Sequence, residues 1–232
     1  MQKQAVILFG PPGSGKGTQA ELLARRFPFI HVDSGRMIEN AVHAPGAERD
    51  PVLRAQRKNF DTGKLCDPAW YLKLVKETAR RIADMGSSVV FSGAFRTYQE
   101  TFGEGRERGL LAALAKFYGE KNVHVVMLNI RPATTLKRNT KRKICAVCGF
   151  QQLPGATHPR CLFCDGPMRV RSLDNPNVIR ERLKEYHART SPIVAALKKH
   201  GVRVTKINGE PAPYLVFESV SRALGLKLKK TK

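Results

Sequence analysis

Nine consecutive residues constrain this chain more than any other stretch: Gly10, Pro11, Pro12, Gly13, Ser14, Gly15, Lys16, Gly17 and Thr18. They follow the short, β-branched apolar run 5–9 and precede a segment in which Ala20, Leu23, Ala24 and Phe27 recur at helical spacing. That order is strand, glycine loop, helix. Glycines let the backbone turn tightly and approach an anion, the loop N–H groups and the helix N-terminus then face phosphate, and Lys16 adds a mobile positive charge. The stretch reads as a polyphosphate cradle. The general pattern places Ser or Thr directly after the lysine, whereas here Gly17 precedes Thr18, so the loop is a variant of that type. A mere turn would use the glycines and prolines but not a lysine and a threonine at this offset.

The 232 residues suffice for one sizeable core, or a core with inserted subdomains, and 42% hydrophobic content is ordinary for a globular protein. A formal net charge of +22 is not ordinary. It suits anionic partners such as nucleotides or RNA, or it only keeps the surface solvated. The N-terminal apolar run is too short for a secretion signal or a membrane span and no later run is long enough, so the chain is expected in the cytosol. Four of its five cysteines, Cys145, Cys148, Cys161 and Cys164, form C-x2-C-x12-C-x2-C. Two such knuckles can converge on one tetrahedral zinc, structural because four thiolates fill its coordination sphere, and disulfides seldom persist in the cytosol. Cys66 stands alone and reads as packing.

In chain order, residues 29–33 read as a second strand and Ser34 opens a helix, after which 40–64 is polar and charged, as befits an exposed helical insertion. A helix from Asp67 and Pro68 carries Leu72, Val75, Ala79 and Ile82 on one face. Strands are expected at 89–91, 123–130 and 201–207, with a long helical segment after Arg96 carrying Leu110, Leu111, Leu114 and Phe117. A helix from Asn177 runs toward Leu197, and a last one carries Val216, Val220 and Leu224. Alternation of this kind means an α/β chain in three layers, a five-stranded parallel sheet covered on both faces, with ligands at the carboxyl ends of its strands.

At this point the residues resemble a known family, the adenylate kinases, in the form with a zinc-bearing lid. The likeness covers nearly the whole chain. Gly10 to Thr18 matches G-x-P-G-x-G-K-G-T, including the intervening glycine, and Arg138, Arg142, Lys143, Ile144 and Cys145 match R-x-x-x-R-[RK]-I-C. After the second knuckle, Arg171, Asp174 and Arg182 fit R-x-D-D and its following arginine, with Leu173 replacing the first aspartate. The resemblance implies a P-loop core (1–33, 65–137 and 172–232), an acceptor-binding insertion (34–64) and a zinc-ribbon lid (138–171). Its implied activity is transfer of the ATP γ-phosphoryl group to AMP, giving two ADP, by a monomer using Mg2+ with the nucleotide and zinc in the lid. Lys16, Arg96, Arg138, Arg142, Arg171 and Arg182 would carry catalysis. Gly10, Pro12, Gly13, Ser14, Gly15, Lys16, Gly17, Thr18, Arg138, Arg142 and Lys206 would bind ATP. Ser34, Gly35, Arg36, Leu65, Gly93, Arg96, Gln99 and Glu100 would bind the acceptor. The segment from Arg131 to Arg182 holds eleven Lys and Arg against three Asp and Glu, which agrees with a lid that closes on phosphate.

Departures from the family pattern gather at the acceptor site. S-T-G-D-M-L-R becomes Asp33, Ser34, Gly35, Arg36, Met37, Ile38 and Glu39, so an arginine expected on the acceptor phosphate is Glu39 while Arg36 replaces an aspartate. Residues 36 and 39 share a helix face and could pair, with Arg36 taking over phosphate contact. D-G-F-P-R-T becomes Ser92, Gly93, Ala94, Phe95, Arg96 and Thr97, which loses an aspartate expected near magnesium-bound water and a proline that fixes a turn. The base-reading glutamine position is Glu100, with Gln99 just before it, and a carboxylate suits guanine donors better than adenine. The alternatives are therefore a kinase with GMP as acceptor, a weakly catalytic ATP- or RNA-binding protein, or a plain hydrolase.

Overall fold

The computed structural model describes residues 2–152, 158–170 and 174–228. Its layering follows from alternation along β1 (Ala5–Phe9), a strand buried at every residue. Ala5, Ile7 and Phe9 face one apolar cluster while Val6 and Leu8 face a second on the opposite side. After the glycine loop, α1 (Lys16–Arg26) packs Ala20 and Leu23 into the second cluster. β2 (Phe29–Asp33) then leads into α2 (Ser34–Val42), whose N-terminus is capped by the Asp33 carboxylate accepting from the N–H groups of Gly35 and Arg36. α3 (Pro51–Asp61) is capped in the same way by Asp50, and α4 (Pro68–Asp84) by Asp67. Both begin with proline, whose missing N–H costs nothing at a helix start.

β3 (Ser88–Ser92) returns beside β1. Beyond it the expected long helix is broken: α5 (Tyr98–Phe102) ends in a hairpin of β4 (Gly103–Glu104) and β5 (Glu107–Arg108), and only then does α6 (Leu110–Tyr118) begin. Gly103 ends α5 at φ +93°, outside the helical region, and the hairpin then packs so closely that a Cβ at Gly109 would lie 2.3 Å from the Thr101 carbonyl oxygen and one at Gly103 1.9 Å from that of Glu107. β6 (Val123–Asn129) completes the other flank of β1, followed by α7 (Pro132–Thr140) and a ribbon of β7 (Lys143–Cys145) and β8 (Met168–Val170) bearing the cysteines. α8 (Pro176–Glu185) and α9 (Ile193–Lys199) are separated by a π-helical turn, Tyr186–Thr190, where continuity was expected. Pro192 has no N–H for the helical ladder, and the Ser191 N–H bonds back to the Tyr186 carbonyl at 2.7 Å. β9 (Val204–Asn208) and α10 (Pro213–Ala223) close the described chain.

The sheet is parallel throughout, in the order β2-β3-β1-β6-β9. α2, α3, α4, α6 and α9 cover one face and α1 with α10 the other, which is the three-layer architecture expected of the sequence. Because β1 is the central strand, the glycine loop emerges from the middle of the carboxyl edge. Asp33 and Ser92 end their strands at the same level, as register partners. No described helix is long and apolar enough to cross a membrane.

Gly109→Ala tests the break after α5, because its added methyl meets backbone rather than a movable side chain. Stability should fall toward the upper end of the about 1–3 kcal/mol typical of overpacking, read as a lower urea midpoint at unchanged slope. An unchanged midpoint would mean that no such crowding exists.

Candidate active site

The loop after β1 is shaped by what surrounds it. At Gly10 φ is +143° and a Cβ would stand 2.5 Å from the Leu128 carbonyl oxygen, so only glycine fits. Lys16 folds back over the loop, its Nζ donating to the carbonyls of Gly10 at 2.7 Å and Pro11 at 2.9 Å. Burial depresses its pKa to about 7, helped by the fields of Arg182, Arg96 and Arg142 and opposed by Asp33. Three guanidinium groups from three different parts of the chain therefore act on one lysine.

They share a cleft of about 740 Å3. Gly10, Pro12, Gly13, Ser14, Gly15, Lys16, Gly17 and Thr18 line it, together with Asp33, Gly35, Leu65, Gly93, Arg96, Arg138, Arg142 and Arg182. Arg96 stands on the turn after β3, with Nε donating to Gly93 at 2.7 Å and its guanidinium 5.6 Å from the centre of the Tyr71 ring. Buried Phe95, just before it, has φ +60°, a conformation costing an L-residue about 1–2 kcal/mol and closed to proline. The turn is thus built differently from one with proline at that position. Thr190, in the π turn, donates to the Arg96 carbonyl at 2.7 Å. Arg142 Nε donates to Asp174 at 2.7 Å, and Arg182 lies 3.7 Å from the same buried carboxylate. Arg138 clamps the carbonyls of Gly209 and Glu210, both at 2.9 Å, and lies 3.5 Å from that of Gly13.

Five of the sequence-derived residues do not line this cleft: Ser34, Arg36, Gln99, Glu100 and Lys206. Ser34 is buried and accepts from the Tyr71 hydroxyl at 2.8 Å. Arg36 is exposed, and its guanidinium lies where a side chain on Gly149 would meet it at 2.9 Å. Gln99 is half-buried in α5 and Lys206 exposed on β9. Glu100 turns inward, 1% exposed, where its carboxylate accepts from the Arg96 N–H at 2.9 Å and its own N–H donates to the Thr97 hydroxyl. Burial pushes Glu100 up to about 7, against the pull of Arg96. This is a capping-box arrangement with the carboxylate reaching one residue further back, and T-x-x-E was its signal in the sequence. Arg171 lies outside the described residues.

The four knuckle cysteines bring their sulfurs within 4.8 Å of one another. Cys145 and Cys164 are 3.5 Å apart and Cys148 and Cys161 3.7 Å, near the edge of about 3.8 Å that a tetrahedron with 2.3 Å zinc–sulfur bonds requires. Against its burial, N–H groups of Cys148 and Val147 draw Cys145 down to about 6. Despite the N–H of Phe150, burial and the neighbouring sulfurs push Cys148 up to about 12. Phe163 stacks on Phe150 at 6.1 Å, an aromatic pair that the spacing of the knuckles did not reveal.

Sequence reasoning also missed Asp33, Glu185, Glu210, Arg131, Lys137 and Lys141 as cleft residues. Only the position of Asp33 at the end of a strand signalled it. Glu210 accepts from the Arg131 N–H at 2.6 Å and from Thr134 at 2.8 Å, which ties α7 to the loop that Arg138 clamps.

A family model described as Adenylate kinase matches residues 8–202. The chain is 26% identical to an adenylate kinase of Clostridium botulinum (strain Langeland / NCTC 10281 / Type F) over 227 residues, covering 95% of this chain and 98% of the relative. It is 28% identical over 220 residues to the adenylate kinase of Chlamydia pneumoniae, covering 94% and 96% respectively. With the adenylate kinase of Caldicellulosiruptor saccharolyticus it shares 28% identity over 226 residues, 96% of this chain and 99% of that one.

The state of Lys16 is open to measurement. With a pKa of about 7 it is mostly neutral at pH 8 in the free protein, and polyphosphate in the cleft restores its charge. ATP binding at pH 8 should take up close to one proton, seen as a dependence of calorimetric enthalpy on buffer ionisation and lost in Lys16→Met. No uptake would mean that Lys16 is already charged without ligand.

Proposed function

The chain belongs to the adenylate kinase family and is an ATP-dependent nucleoside monophosphate kinase, and from that premise we propose that its acceptor is AMP, with two ADP as products. One observation carries the reading: Lys16, Arg96, Arg142 and Arg182 converge on a single cleft, and the three guanidinium groups press on the charge of Lys16. Such a cluster is a poor structural element and a good receptor for two polyphosphates. Phosphoryl transfer asks for positioning and charge neutralisation more than covalent chemistry, so cations held in place are most of what the reaction needs.

The roles follow from where the residues stand. The glycine loop and Lys16 would take the β and γ phosphates of ATP. Arg142 and Arg182, oriented by Asp174, would hold the transferring group from the side of residues 138–171, the proposed lid, with Arg171 as a further contact. Arg96 would hold the acceptor phosphate beside Gly35, Leu65 and Gly93, in the insertion 34–64 and the turn after β3. Glu100, buried on the Arg96 backbone, supports a positioning role for that carboxylate and with it a preference for AMP over GMP. Arg138 would steady the adenine end, where it grips the Gly209–Glu210 segment. Closure of the lid would exclude water and so limit hydrolysis.

Magnesium accompanies ATP in this family. Thr18 and Asp33 offer hard oxygen donors beside the loop, a donor set that fits the ion. When bound it neutralises phosphate charge. The sulfur spacing supports zinc at Cys145, Cys148, Cys161 and Cys164, as a rigid clip for the lid. All proposed groups come from one chain, which supports a monomer, and the net charge of +22 supports attraction to other anions as well. Thiolates gathered for zinc rather than paired as disulfides support a cytoplasmic setting.

A coupled phosphotransfer assay with Mg·ATP should show AMP preferred over GMP, CMP and UMP, with little ADP formed without acceptor. Arg96→Ala should raise the AMP Michaelis constant about 10-fold or more, the scale of a lost charge-assisted hydrogen bond. Preference for GMP would return Glu100 to the base pocket, and tight RNA binding without turnover would replace the kinase reading. Metal analysis should find about one zinc per chain, and its removal by chelator should lower the melting temperature. A metal-free, equally stable protein would refute the clip.

A further inference from the structure

Enzymes with this type of phosphate loop hold magnesium between a loop hydroxyl and a carboxylate at the end of a neighbouring strand. Here β3, the strand next to β1, ends in Ser92, a hydroxyl without charge. Ser92 is also engaged: its Oγ is 2.8 Å from Nε2 of His31, whose Nδ1 lies 3.4 Å from Glu21. With the Nδ1 proton turned to Glu21, Nε2 accepts from Ser92, whose oxygen keeps its lone pairs but brings no negative charge to a cation. The missing carboxylate stands one strand over. Asp33 ends β2, is the register partner of Ser92, and lines the same cleft as Lys16 and Thr18. Parallel neighbours are about 4.8 Å apart, so the displacement is one strand width at the same level of the sheet.

Two other described acids line the cleft. Glu210 is held by Arg131 and Thr134. Glu185 stands in α8 rather than at a strand end, 3.6 Å from Arg189, with its Oε2 buried and without a hydrogen bond. Asp33 uses Oδ1 to cap α2, at 2.9 Å from Gly35 N and 3.2 Å from Arg36 N. It is also the carboxylate whose field reaches Lys16.

We infer that Asp33 is the positioning carboxylate for nucleotide-bound magnesium in this chain, a function moved from the end of β3 to the end of β2. The inference rests on the kinase reading. The ion is octahedral, keeps several waters and takes one or two carboxylates. Asp33 and Thr18 are then its protein oxygens, directly or through water, while Ser92 is tied to His31.

The test is a binding ratio rather than a rate. Calorimetry gives the affinity for ATP with Mg2+ and with EDTA, and their ratio is the metal's coupling to the site. Asp33→Asn keeps the helix cap, because asparagine caps as well as aspartate, and Asp33→Ser serves as a second capping variant. In both, the ratio should fall about 10-fold or more, the scale of lost support around a metal, while metal-free ATP binds as well as before or better because a negative charge has gone. Ser92→Asp in the Asp33→Asn background should restore the ratio, and Ser92→Ala alone should leave it near that of the wild type. An unchanged ratio in both Asp33 variants, or an equal loss in Ser92→Ala, overturns the inference while leaving the kinase reading intact. Failure of the unaltered protein to bind ATP with or without metal overturns that reading and this inference with it.

Discussion

Positive charges crowded into one cleft repel each other, and much of this structure is an answer to that repulsion. Two like charges 4 Å apart at an effective dielectric of 20 are worth about 4 kcal/mol, a large part of the about 5–15 kcal/mol by which a domain is stable. Several such pairs cannot simply be tolerated. Lys16 avoids its share by giving up its proton near neutrality and by turning its amine onto the carbonyls of Gly10 and Pro11. Arg142 and Arg182 share the buried carboxylate of Asp174. Arg96 leans on the Tyr71 ring and the Gly93 carbonyl. Each solution is local, resting on groups of the chain itself.

The supports come from separate elements, so the fold itself sets the spacing. β1 delivers the loop, β3 delivers Arg96, α8 delivers Arg182, and the connection beyond α7 delivers Arg142. Asp174 matters here because it links the last two at the root of the cysteine-bearing ribbon. A zinc ion on four thiolates would leave about two negative charges near that root and so ease the same repulsion from the other side. Contacts across the cleft are already made, with Arg36 of α2 against Gly149 of the ribbon and Gly63, beyond α3, against Val178 of α8.

Much of this was legible in the chain because the signals were local. The strand-loop-helix around Lys16, the knuckles, and the strands at 29–33 and 123–129 are short-range patterns, and periodicity or spacing reports those directly. Glu100 was harder. Its place four residues after Arg96 read as a base contact, while the T-x-x-E spacing went unread, and its carboxylate lies buried on the Arg96 N–H. The break after α5 rests on Gly103 and Gly109, where the backbone of Glu107 and Thr101 comes close, and the periodicity of Leu110, Leu111, Leu114 and Phe117 does not register it. Gln99 and Lys206 were carried across by position alone, and neither lines the cleft.

The departures from the family pattern are neighbours in space rather than scattered changes. Asp33 and Ser92 face each other in register, His31 bonds to Ser92, Phe95 reshapes the turn that carries Arg96, and Glu100 holds that turn from beneath. A change at any one of these points alters what its neighbour must do. With no carboxylate at the end of β3, the nearest strand-end carboxylate is that of β2, and losing the proline leaves Arg96 needing another anchor. Asp33 is that carboxylate, and Glu100 with Thr190 supplies that anchor. The rearrangement thus keeps the charge pattern of the cleft while changing which residues supply it, as expected when the constraint lies in the electrostatics of two bound polyphosphates rather than in any single side chain.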